Sequence, residues 1–142
     1  MTRLKHSTLF GLMLATSAYG ENDSRQSLPE ALVVDRSIVG KSEINFPNDD
    51  NIHPHASDFN VVSTILMSGE NGERWATITV QNNSSGQRLL QKDYLLVLFA
   101  NGERKMPKLE KTVFKGKEKI TLNVSLGYHK FPALSVYSAN DE

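Results

Sequence analysis

Residues 48–58 read NDDNIHPHASD and place His53 and His55 two positions apart, with Asp49, Asp50 and Asp58 around them. Side chains two apart on an extended chain project to the same side. Pro54 pushes His53 away from helical geometry and towards that extended form. Two imidazoles among carboxylates are donors suited to Zn(II) or Cu(II). Further donors would have to come from a scaffold, and His129 in GYHKFP is the other histidine beyond the first twenty residues. Second-sphere partners would also have to orient the rings. The same stretch lies in a run of turn-forming residues with Pro47 and Pro54, and a polar linker is its plainer reading.

A second group of residues could recognise a partner. Trp75 alternates out of phase with Ala76, Ile78 and Val80, so it stands opposite the inward set of its strand. Tyr128, Lys130 and Phe131 sit just before the last predicted strand, in a loop. Exposed aromatics and loops on a rigid scaffold are where binding concentrates.

Other chemistries leave no mark. There is no cysteine, so thiolate metal sites, thiol catalysis and disulfides are all excluded. Gly-x-Ser-x-Gly, His-Glu-x-x-His and a glycine-rich phosphate loop are absent. The sequence therefore predicts a non-catalytic protein with no cofactor.

The elements that must position these groups follow from the rest of the 142 residues. Residues 1–20 have Arg3 and Lys5, then the apolar run TLFGLMLATSAYG ending in small residues. That order of basic, apolar and small residues predicts a signal peptide, cut after Gly20 or after Ala18. No later stretch is long and apolar enough to span a bilayer. Removing Arg3 and Lys5 leaves 14 basic against 16 acidic residues, a balance that argues against nucleic-acid binding. Charge is unevenly placed. Residues 21–60 are acid-rich, whereas 101–119 hold seven Lys and Arg against Glu103, Glu110 and Glu118. Lysines of this kind guard strand edges against unwanted pairing, and they would also suit an acidic partner.

Residues 21–57 lack sustained periodicity and are predicted to be an extension or linker; ALVVDRSIVG, apolar at Leu32, Val33 and Val34 and again at Ile38 and Val39, has room for one strand or a short helical turn after Pro29. From residue 58 to 142 the pattern is that of short strands. RWATITVQN and KITLNVSL alternate, YLLVLFA is apolar on both faces like a central strand, and ALSVYSA should turn Leu134 and Val136 inward. Asn71-Gly72 and Asn101-Gly102 are hairpin turns. Helical spacing is missing. The expectation is an all-β antiparallel sandwich of six or seven strands.

The run ATITVQNNSSGQRLL, the apolar strand ending FANGERK, and FKGKEKITLNVSL resemble the small immunoglobulin-like domains of exported bacterial proteins, over about residues 58–139. The resemblance implies an immunoglobulin-like sandwich in the periplasm or secreted. It does not by itself assign a function. Together these readings predict a protein-binding or assembly accessory factor of the cell envelope, whose partner is another protein. A strand edge near ERKMP or in the last strand is the expected device. The alternative is a periplasmic metal-binding protein using His53 and His55.

Overall fold

The computed structural model describes residues 32–35, 44, 46–47 and 52–141. The predicted signal peptide and the flanking Asp49 and Asp50 lie outside them. Nine strands run through the described residues: β1 (Val33–Val34), β2 (Phe59–Ser68), β3 (Glu73–Asn82), β4 (Arg88–Leu90), β5 (Leu95–Phe99), β6 (Arg104–Lys105), β7 (Thr112–Phe114), β8 (Lys119–Tyr128) and β9 (Ala133–Ser138). A single 3-10 turn, Lys92–Tyr94, precedes β5. All pairings are antiparallel, in sheets ordered β1-β2-β3-β8, β6-β5-β9 and β4-β7.

The long strands follow from their alternation. Ala76, Ile78 and Val80 of β3 are fully buried, and Val124 and Leu126 of β8 face the same core. Thr77 and Thr79 lie on the outer face, where they bond Asn123 and Thr121 of β8 at 2.6 and 2.9 Å. All five residues of β5 are buried, as expected for a strand apolar on both faces. Leu95, Val97 and Phe99 meet β3 and β8 across one core, so two sheets enclose it as in a β-sandwich. Phe59 and Phe114 contact edge to face at 5.1 Å, tying β2 to β7 within it.

Nine strands exceed the six or seven expected. Strands of two or three residues, such as β1, β4, β6 and β7, are too short to carry a period. In β9 the inward residues are Ala133, Val136 and Ser138, with Leu134 only half-buried. The β5–β9 register slips between Leu98 and Phe99, which takes Leu134 out of the alternation.

Two turns are fixed by side-chain chemistry. Asn82 is buried at the end of β3, and its amide donates to the Gly86 and Lys115 carbonyls at 2.8 and 2.9 Å. Its Oδ1 accepts from the Ser84 N–H at 3.0 Å, so the buried amide is satisfied on both ends. This holds the 83–87 turn against the β7–β8 turn. Gly116 lies so close to that turn that an added Cβ would fall 2.0 Å from the Ser85 carbonyl oxygen.

Candidate functional site

The histidines do not converge. His55 donates its N–H to the Asp93 carbonyl at 2.9 Å, and its Nδ1 lies 3.0 Å from Asp93 Oδ2, just before β5. His129 stacks on Phe99, the last residue of β5, with ring centroids 3.7 Å apart. The length of β5, roughly 14 Å at the usual rise, separates the two sites. His53 is exposed, and Asp58 pairs with Arg88 at 2.6 Å. Among the described residues no three His, Asp or Glu side chains are placed to hold a metal ion.

His129 instead clasps one end of the molecule. Its side chain is only 6% exposed, and Nε2 lies 2.7 Å from Glu103 Oε2. Phe131 presents both its N–H, at 3.1 Å, and its carbonyl, at 3.0 Å, to Nδ1. A neutral ring can accept from the first and a protonated ring can donate to the second, so either state finds a partner. The backbone is fastened as well. His129 N–H donates to Gly72 O at 2.9 Å, and Arg74 donates to the His129 and Lys130 carbonyls at 3.1 and 3.3 Å. Glu103 also pairs with Lys105 at 3.0 Å. The hydrogen bond from His129, then that from Lys105, hold the Glu103 carboxyl down at about 2.

The clasp presents a loop. Tyr128 is 68% and Phe131 39% exposed, with Lys130 Nζ 6.0 Å from the Phe131 ring. Trp75 does not join them. It lies across from Met67 and Ser125 on the outer face, half-buried, and lines a different feature.

That feature is the free edge of β8. Backbone N–H and C=O groups along an antiparallel strand alternate between its two sides. Glu118 O accepts from the Asn82 N–H at 2.9 Å, so Ile120, Leu122 and Val124 of β8 turn their backbone towards β3. Ser125 O accepts from the Lys108 N–H at 2.8 Å, so the odd-numbered residues from Lys119 to Ser125, before the register shift, turn theirs away. Lys119, Thr121 and Asn123 therefore aim their backbone groups outward, and all three are exposed. Lys108↔Ser125 is the one bridge on that side among the described residues. Beyond it, residues 108–112 diverge from β8. An open groove of about 340 Å³ remains, lined on one wall by Lys108, Leu109 and Thr112 and on the other by Leu122, Asn123 and Trp75.

The other edges are shorter or capped at some of their groups. At β2, Leu66 O accepts from Asp35 N–H at 2.8 Å, while Val61 N–H donates to Asp141 Oδ2 at 3.0 Å and Phe59 O accepts from Asn140 Nδ2 at 2.7 Å. At β9, Ser138 N–H is taken by Asp141 Oδ2 at 2.9 Å. Strand β6, the ERKMP stretch, has two paired residues. The long open edge is thus on β8, where the sequence had not placed it. Period-two patterning reports which face of a strand is buried and carries no information about its lateral neighbours.

Comparison with protein-family models, curated proteins and solved structures found no match to this chain. Among the described residues no helix is long and apolar enough to cross a membrane.

Proposed function

We propose that this chain is an exported, non-catalytic protein-binding or assembly accessory factor of the cell envelope, periplasmic or secreted, built on an immunoglobulin-like sandwich. The observation that carries the binding reading is that the outward backbone groups of Lys119, Thr121 and Asn123 have no partner among the described residues, beside an open groove. Extended segments add to such edges as a further strand, with main-chain hydrogen bonds supplying affinity and neighbouring pockets supplying selectivity. Trp75 in the groove offers an apolar surface to such a segment. Tyr128 at the end of β8, with Lys130 and Phe131 on the clasped loop, offers a second contact.

The immunoglobulin-like reading is supported by strand order. The run β2-β3-β8 corresponds to the A-B-E order of one immunoglobulin sheet, and β5 beside β9 to C beside F of the other. Export is supported by the charge and hydropathy of residues 1–20 and by the lack of any thiol needing a reducing compartment.

The test is expression of the full chain with a C-terminal tag in a bacterial host. The reading expects a periplasmic product shortened by about twenty residues, consistent with a cleaved signal. It also expects an envelope protein to be retained by the wild type and lost with Thr121→Pro, which blocks the open edge. A full-length cytoplasmic product would sink the export reading. Equal retention by the two forms would sink the edge as the binding device.

A further inference from the structure

The edge of β8 is bordered by unpartnered positive charge. Lys108, Lys111, Lys115 and Lys119 are exposed and make no ion pair among the described residues. The nearby acids do not balance them. Glu110 lines the groove and Glu118 accepts the Lys115 N–H at 2.6 Å, and these two carboxylates offset only two of the four lysines. Lysines on an edge repel a basic strand and deter indiscriminate pairing, but they attract an acidic one.

The two faces of an added strand would meet different surroundings. Side chains directed to the core side would lie beside Leu122 and Leu109, which line the groove. Side chains on the other face would lie beside Lys119, Thr121 and Asn123, with Lys108 at the far end by the bridge to Ser125. We infer that β8 accepts an extended segment of another protein in which apolar and acidic residues alternate, the apolar ones against Leu109 and Leu122 and the acidic ones towards Lys108 and Lys119. This rests on the binding reading above and specifies the chemistry of the partner.

The experiment uses the full mature chain and three synthetic nine-residue probes: valine alternating with glutamate, with lysine and with threonine. Binding is followed by backbone amide shifts and hydrogen exchange. The glutamate probe should slow exchange at Thr121 and Asn123, and added salt should weaken it because exposed charges are screened. Lys108→Glu combined with Lys119→Glu should lower its affinity on the order of tenfold, since attraction is replaced by repulsion at two rim positions. Both lysines are exposed, so the variant should fold; unchanged exchange in β3 and β5 verifies this. If the threonine probe protects the same amides equally well and the charge reversal has no effect, edge pairing stands and the acidic partner is refuted. If no probe protects them, edge pairing falls too. Protection of Thr121 and Asn123 that rises with protein concentration alone would assign the edge to a second copy of the chain and overturn the proposal.

Discussion

His129 Nε2 and Glu103 Oε2 lie 2.7 Å apart across 26 residues of sequence, with the imidazole flat against Phe99. This contact joins the β5–β6 hairpin to the β8–β9 loop. Through the bonds of His129 Nδ1 to the Phe131 backbone it also holds the loop that exposes the Phe131 ring.

The contact makes stability fall in acid. Glu103 has its folded pKa depressed from 4.5 to about 2, chiefly by the hydrogen bond from His129. A depressed carboxyl contributes stability that is complete above its unfolded pKa and is lost as pH falls through the folded one. Unfolding followed between pH 6 and about pH 2 should show a declining acid limb. Glu103→Gln should flatten that limb. An unchanged pH dependence in the variant would mean the pair does not contribute.

Removing the ring should cost more than removing the charge. His129→Ala deletes a buried stack on Phe99 and should destabilise by about 2–3 kcal/mol, as for other large-to-small changes at buried sites. Denaturant unfolding measures this, and faster amide exchange at Phe131 should accompany it. A loss near zero would show the loop to be held by Arg74 and the Gly72 carbonyl alone.

Gly116 should tolerate no side chain. A Cβ there would overlap the Ser85 carbonyl oxygen, so Gly116→Ala must displace the turn anchored by Asn82. The expected cost is about 1–3 kcal/mol, the usual range for overpacking. Gly86→Ala, whose nearest neighbour is the flexible end of Arg88 at 3.3 Å, should cost less.

The legible parts of this chain were those written in local patterns. The alternation of β3 and β8 showed their buried faces, the unbroken apolar run of β5 marked a central strand, and Asn71-Gly72 and Asn101-Gly102 marked hairpin turns. Relations between distant residues were not legible. Nothing near Glu103 in sequence points to His129, and no periodicity could reveal the slip at Leu134, which depends on how β9 meets β5. The metal reading of His53, His55 and His129 drew on residue type and on the local spacing of His53 and His55. The fold ties His55 to Asp93 and His129 to Glu103, at opposite ends of β5. For binding, the sequence marked Tyr128, Lys130 and Phe131 by their place in a loop, and the fold does expose them. The open edge of β8 went unseen because the same alternation would arise with a neighbour on both sides.

Two adjacent proline substitutions should separate the sides of β8. The Thr121 N–H points away from β3, so Thr121→Pro should cost about 1 kcal/mol, the worth of its exposed hydroxyl bond to Thr79. Leu122 pairs with Ile78, and Leu122→Pro removes a ladder hydrogen bond and leaves its partner unsatisfied, which should cost about 1–3 kcal/mol more than Thr121→Pro. Similar losses in the two would contradict the assigned alternation.

The most direct measurement is amide hydrogen exchange at Thr121 and Asn123 in the free mature chain, compared with Leu122 and Val124. Fast exchange at the first two, slow exchange at the second two, and slowing of the first two by the valine–glutamate probe is the expected result. Protection of Thr121 and Asn123 in the dilute free protein would mean the edge is already covered, and β8 could not be where a partner strand is added.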